Sequence, residues 1–362
     1  MIEIRHLKLI DAVAEVGTLK NAADRLCLTQ SALSHQLKEL ESRLGIKVFH
    51  RVNNKLLFTP AGKELRDASK EILEQLQRVE NNIQEINQEH LKNYVHGYSQ
   101  DETTRLNDQA NTVSELLHWD SKWQPGSLIL EAGCGVGAQT RIIASKNPES
   151  TFVSVDLSPA SLAKAEESVN ELNIEHVMFR LADIQDLPYE NDHFDHIFVC
   201  FLLEHLSHPS EALLELYRVL KPQGTITVIE GDHGSTYFHP ESSAAIKAVN
   251  AQVTLQSQTG CDANIGRKLY PLLFDTGYTD IEVSPRQVYV NDSKPQLTEG
   301  FIKNTFVAMI KGISEEAIAR KIISKEAMQK GIKDLLKTAE RGGTFCYTFF
   351  KAIARKGDTP DV

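Results

Sequence analysis

Leu7, Ile10, Val13 and Ala14 recur at helical spacing and stop at Gly17, which predicts a first helix. Thr18 is placed to cap a second, short helix with Ala22, Ala23 and Leu26 as its small or apolar positions. After Cys27-Leu28-Thr29 a third helix follows, QSALSHQLKELESRLG, whose apolar set is Leu33, Leu37, Leu40 and Leu44. Opposite that stripe Gln30, Ser31, Ser34, His35 and Lys38 share one polar face. Ile46-Lys47-Val48-Phe49 and Leu56-Leu57-Phe58 predict two short strands around a polar turn, Arg51 to Asn54. Beyond Pro60-Ala61-Gly62 a long helix carries Leu65, Ile72, Leu76, Val79, Ile83 and Ile86. From residue 72 its apolar steps alternate four and three, a heptad seam whose β-branched positions favour two strands.

The pattern changes after residue 91. LILEAG is an apolar run ending in glycine, with a helix expected from about Ala138. TFVSVD, HVMFRLA, FDHIFVC and GTITVIE are further strands, and helices are expected from Ser158 and over LSHPSEALLELYRVLKP. Alternation of this kind predicts a mostly parallel, doubly wound α/β sheet. Residues 235–342 read as mostly helical, a lid of four segments before the final strand.

Composition narrows the class. No run of eighteen apolar residues suggests a membrane span, and MIEIRHLKLIDAV lacks a signal-peptide core, so a cytoplasmic protein is expected. The five cysteines are widely spaced without a C-x-x-C pair, which suits a reducing compartment. The thirteen histidines show no H-E-x-x-H or Cys/His ligand spacing, so no metal is expected. Residues 1–62 hold nine Lys/Arg against six Asp/Glu, although the whole chain carries −10. Any nucleic-acid contact is therefore expected at the head.

On the head, Thr29 can cap a helix whose N-terminus points at phosphate. Gln30, Ser31, Ser34, His35 and Lys38, with Arg51 of the turn, have the reach for base edges and phosphates. The stretch AADRLCLTQSALSHQLKELESRLGIKVFHR…FTPAG resembles the winged helix-turn-helix of LysR-type regulators, and TQSALSHQLKELE is similar to the methionine-pathway members. That resemblance implies DNA binding by residues 1–62 and homodimerisation through a linker helix over 63–91. A head kept only for dimerisation is the alternative.

In the body, Glu131-Ala132-Gly133-Cys134-Gly135-Val136-Gly137 follows the first strand, where glycines permit a tight turn and close ligand approach. The dinucleotide spacing G-x-G-x-x-G is absent. Asp156 ends the second strand, where an acid can grip ribose hydroxyls in either cofactor class. Leu181-Ala182-Asp183-Ile184, Leu187-Pro188, Asn191-Asp192-His193-Phe194-Asp195, Cys200-Phe201-Leu202-Leu203-Glu204-His205-Leu206 and Arg218-Val219-Leu220-Lys221-Pro222-Gln223-Gly224 follow in order. The series resembles Rossmann-like class I S-adenosylmethionine-dependent methyltransferases of the small-molecule branch, over roughly residues 94–352. It implies a methyltransferase domain at 92–362 with a helical lid, preceded by an all-α winged helix-turn-helix and a linker helix. The resemblance carries over Gly133, Gly135 and Gly137 under the methionine moiety and Glu131 on its ammonium. Asp156 would take the ribose, Leu157 the adenine face, and Asp183 with Ile184 the adenine edge. Cys134 and Cys200 would line the site, Cys134 reading as a small packing residue. Gln223 stands where the family usually has glycine.

The acceptor side is less constrained. His205, Glu230, Asp232 and His233 stand at or beyond strand ends, the N-terminal lid NYVHGYSQDE adds Tyr94, His96 and Tyr98, and Tyr237 and His239 follow in STYFHP. His233, His205, Asp232 and Tyr98 are the catalytic candidates, each with a packing role as its alternative. The head suggests sulfur metabolism, so S-methylation of a small thiol or sulfide, such as methanethiol, is the leading acceptor reading. O- or N-methylation of a small metabolite, or an S-adenosylmethionine-sensing regulator, are the alternatives.

Overall fold

The computed structural model describes residues 2–26, 28–52, 55–70, 72–73, 75 and 100–357. It divides into two compact units, Met1–His90 and Leu91–Val362.

In the first unit three helices form a small core: α1 (Ile4–Val16), α2 (Leu19–Arg25) and α3 (Gln30–Leu44). α1 stops at Gly17, whose φ of 71° is the left-handed geometry that glycine takes without strain. Its buried face is Leu7, Leu9, Ile10, Ala12 and Val13, whereas Ala14 is exposed. The stripe is thus turned one position from the sequence reading. Thr18 and Thr29 cap α2 and α3 by accepting the amides of Asn21 and Ala32. Leu33, Leu37 and Leu40 are buried, while Leu44 lies at the exposed end of α3.

The unit is not wholly helical. Strands β1 (Phe49–Val52) and β2 (Lys55–Phe58) pair antiparallel as the expected hairpin. β1 starts later than predicted, because Glu41 holds the segment before it. Its carboxylate accepts Lys47 Nζ at 2.6 Å and the Val48 amide at 3.1 Å. A further helix, α4, occupies 60–70. Leu76, Val79, Ile83 and Ile86 of the predicted seam lie outside the described residues, and Ile72 is exposed.

The second unit is a seven-stranded sheet of order β5-β4-β3-β6-β7-β9-β8. β3 (Leu128–Ala132), β4 (Thr151–Asp156), β5 (Val177–Leu181) and β6 (Phe194–Cys200) are parallel and pair with the start of β7 (Leu220–His239). β8 (Tyr278–Asn291) and β9 (Thr344–Lys356) close it antiparallel. Helices α5 (Gln100–His118), α6 (Thr140–Lys146), α7 (Pro159–Asn170) and α8 (Pro209–Val219) flank the strands. α6 begins two residues later than predicted, because the glycine turn runs on through Ala138 and Gln139.

One expectation is corrected and one refined. β7 does not end before GDHGS but runs through it, kinked by a register shift between Asp232 and Tyr237. The insertion at 235–342 is mostly helical, as expected, but it is not helices alone: the strand β8 interrupts it. β8's mixed residues show no clean alternation because, as an edge strand, it is half solvated. Around it lie α9 (Ser243–Gln258), α10 (Leu269–Asp275), α11 (Pro295–Leu297), a π-helical stretch Thr298–Val307, α12 (Ala308–Gly312), α13 (Ser314–Ala319) and α14 (Lys325–Lys337). Phe301, Phe306, Ile310 and Leu255 of these helices join Phe152 and Phe198 in one apolar core, so the insertion covers a face of the sheet.

α5 is tied to the sheet by a lysine buried within β9. Lys351 Nζ reaches Asp120 Oδ1 at 2.7 Å, Ser121 Oγ at 2.9 Å and the Leu117 carbonyl at 3.3 Å. Its side chain is 1% exposed. Lys351→Met is expected to lower unfolding stability by about 3 kcal/mol, the lower end for breaking a buried pair, because Arg286 still pairs with Asp120. Denaturant titration of the two proteins measures it.

Candidate active site

The carboxyl ends of β3 and β4 build the first half of the site. Gly133, Gly135 and Gly137 all hold positive φ, at 75°, 54° and 76°. A Cβ on Gly133 would come within 2.7 Å of Leu202, and one on Gly137 within 2.9 Å of the Ala165 backbone. On Gly135 it would meet nothing within 4 Å, so open space lies above the loop there. Asp156 faces that space. Its carboxylate accepts the Gly135 amide at 2.8 Å and the Ser158 amide at 2.9 Å, and burial raises its pKa.

Glu131 is buried under the loop and accepts Ser154 Oγ at 2.6 Å. Burial pushes it up to about 7. Cys134 is buried against its own turn and Cys200 beneath the sheet end, and burial pushes both thiols up, so neither is a ready nucleophile. Leu157 and Asp183 are half-buried and Ile184 is buried at the next two strand ends. α5 lies over the loop, with Ala110 packed on Val136 and Ala138.

The second half stands one strand further along. After Cys200 the chain makes a 3-10 turn, Leu203–His205, held from below by Glu230. Glu230 Oε1 accepts the amides of Leu202 and Leu203 at 3.0 and 2.7 Å. The turn presents Glu204 between two imidazoles: His205 Nε2 is 3.6 Å from Oε1 and His233 Nε2 is 3.7 Å from Oε2. Tyr347 Oη lies 3.1 Å from His233 Nδ1. Gly231 makes this possible, because a Cβ there would stand 2.4 Å from the Tyr347 hydroxyl.

Burial pushes Glu204 up to about 7, against the downward pull of Gln256 and Arg105. Glu230 is raised by burial and then by the charge of Glu204. Burial and Arg105 lower His205 to about 3 and His233 to about 4, so both rings are neutral at pH 7. A carboxylate poised near neutrality beside neutral imidazoles can accept a proton from a bound acceptor.

Of the predicted catalytic residues, His205 and His233 are brought together here. Asp232 is not free: Arg267 clamps it through two bonds of 2.7 Å. Tyr98, with Tyr94 and His96, lies outside the described residues. Tyr237 and His239 are exposed towards the end of β7. The sequence reading did not single out Glu204 as an acceptor-side candidate, nor Tyr347 or the buried pair Glu102–Arg105, joined at 2.6 and 2.7 Å. Glu102 and Arg105 stand three apart in an amphipathic helix, which was the available signal.

On the first unit Thr29, Gln30, Ser31, His35 and Lys38 are exposed along α3, Ser34 is half-buried, and Arg51 lies on β1.

Residues 130–228 match the methyltransferase domain family, and residues 4–63 match the lysR family of bacterial regulatory helix-turn-helix proteins. The chain joins a LysR-family helix-turn-helix to a methyltransferase domain. The regulator MetR of Buchnera aphidicola is 44% identical over 92 residues, 25% of this chain and 30% of that protein. An uncharacterized methyltransferase of Schizosaccharomyces pombe is 33% identical over 161 residues, 41% of this chain and 56% of that one. The chain thus spans less than a third of the MetR relative and just over half of the methyltransferase. Among solved structures, the YcgJ protein of Bacillus subtilis is similar at 17% identity and a TM-score of 0.45, covering 69% of this chain and 99% of that one.

Among the described residues no group of three or more His, Cys, Asp and Glu could hold a metal ion, and no helix is long and apolar enough to cross a membrane.

Proposed function

We propose that residues 92–362 methylate a small acceptor with S-adenosylmethionine, at the cluster of Glu204, His233 and Tyr347. The carrying observation is the continuity of the two halves: Leu202 packs on Gly133 and leads directly into the turn that bears Glu204. The residues fit that cofactor. Asp156 and the open space above Gly135 suit a ribose diol, Glu131 suits an ammonium group, and Asp183 with Ile184 suits an adenine edge. When bound, the cofactor supplies an electrophilic methyl group on sulfonium. The chain's part is to align the acceptor, exclude water and take its proton. Glu204 accepts the proton, while Tyr347 and His233 orient it.

A small thiol such as methanethiol is one acceptor of this kind, and an amine or hydroxyl is the other. The thiol reading drew on the lack of a base array, yet Glu204 and Glu230 are buried carboxylates at the site, which suits an amine or hydroxyl that needs a base more than a thiol that ionises readily. Incubation with S-adenosylmethionine and thiols, phenols, hydroxy acids and amines tests the activity. S-Adenosylhomocysteine is expected with at least one class; none with any class, despite cofactor binding, would favour a cofactor sensor.

The head supports DNA binding as a second activity, because the polar face of α3 is exposed and its N-terminus is capped by Thr29. Binding should weaken with salt, and Lys38→Ala should weaken it across sequences. Absence of any gel shift would return the head to a dimerisation role. Homodimerisation through 63–91 is part of this proposal, with sedimentation of the full chain as its test.

A further inference from the structure

Among the described residues the charges around the Glu204 turn do not balance when Glu204 and Glu230 are both ionised. Arg105 is held by Glu102 through two bonds, and Arg267 by Asp232 through two more. His205 and His233 are neutral for want of solvent. Glu204 and Glu230 remain, 8% and 0% exposed, and neither meets a Lys or Arg within ion-pair distance among the described residues. Two buried carboxylates without a cation are costly unless a proton or a bound cation accompanies them.

Two further observations point to a ligand. Glu230 Oε2 and His233 Nε2 are fully enclosed and have no hydrogen-bond partner among the described residues, and Nε2 is aimed at Glu204. The wall beside them is aromatic. The Tyr347 and Phe306 rings stand 5.7 and 6.3 Å from that of His233, and Phe349 packs on Tyr347 at 4.8 Å. Aromatic faces next to buried carboxylates form the setting that an alkylammonium ion prefers over a neutral alcohol or a thiol.

We propose that the acceptor is an aliphatic amine, recognised as its ammonium ion by Glu204 and Glu230 against the Phe306–Tyr347 wall. The proposal rests on the methyltransferase reading and names its substrate class. The ammonium gives one proton to the Glu204 carboxylate, which frees the nitrogen lone pair. That pair forms the new N–C bond as the C–S bond of the sulfonium breaks and its electrons return to sulfur. The product leaves as a methylated ammonium or amine, and the Glu204 proton passes to water.

Calorimetry on the full chain saturated with S-adenosylhomocysteine tests this without turnover. The probes are n-butylamine, dimethylbutylamine and piperidine, set against n-butanol, cyclohexanol and n-butanethiol. The amines are expected to bind at least tenfold more tightly than the neutral probes. Glu204→Gln and Glu230→Gln should each erase that margin while leaving S-adenosylhomocysteine affinity unchanged, which also shows that the variants fold. Amines binding no better than alcohols or thiols, with the cofactor product still bound, would overturn the amine proposal and leave the methyltransferase reading standing. Failure of S-adenosylhomocysteine itself to bind would overturn both. Preference for the thiol would overturn the amine and restore S-methylation.

Discussion

Glu204→Gln is expected to lower kcat by about 100- to 10,000-fold, the range for losing a positioned general base. The amide keeps the size of the side chain and cannot take a proton. Affinity for the cofactor should hold, because Asp156, Glu131 and the glycine loop are untouched. The pH profile gives a sharper readout. Glu204 titrates at about 7 and works as the carboxylate, so wild-type kcat/KM should rise with pH and level off above about 7. In the glutamine variant that acid limb should vanish. A variant that keeps both its rate and its limb would remove Glu204 from the chemistry and leave it a helix-turn packing residue.

Asp156→Ala is expected to act on the other half of the site. A carboxylate holding a ribose diol makes two charge-assisted hydrogen bonds, each worth roughly 1.5–3 kcal/mol. Loss of about 3 kcal/mol corresponds to a fall in cofactor affinity of about 100-fold. The same carboxylate holds the amides of Gly135 and Ser158, so the alanine variant also loosens the turn proposed to carry the cofactor. Asp156→Asn, which keeps an acceptor, should lose less. Titration of S-adenosylhomocysteine into each variant separates the two effects. Unchanged affinity in the alanine variant would place the cofactor elsewhere.

These two residues differ in how they were found. Asp156 was legible because it ends an apolar strand, and in a parallel sheet every strand end meets the ligand crevice. The glycine loop was legible for a similar local reason: three glycines in alternate positions serve a tight turn before a helix. Glu204 was visible as a letter in a familiar run but not as a base. Its neighbours decide its chemistry, and they come from α5, β7, α9 and β9, up to 143 positions away in the case of Tyr347. Asp232 went the other way. A polar run after a strand suggested a free acid, and the fold had already spent it on Arg267.

The sequence by itself determined the two-part plan, the caps at Thr18 and Thr29, the order of the parallel strands' elements and the glycine turn after β3. Each of these follows from interactions within a few positions, where periodicity, capping and turn geometry act. Tertiary structure decided the rest: that β7 continues through GDHGS, that β8 enters at the sheet edge, and that Glu204, Glu230, His233 and Tyr347 are buried together. Antiparallel insertion of β9 between β7 and β8 brings Tyr347 to His233 and removes water from Glu204. Desolvation depends on everything packed around a group, so the proton affinity of that carboxylate exists only once the chain has closed around it.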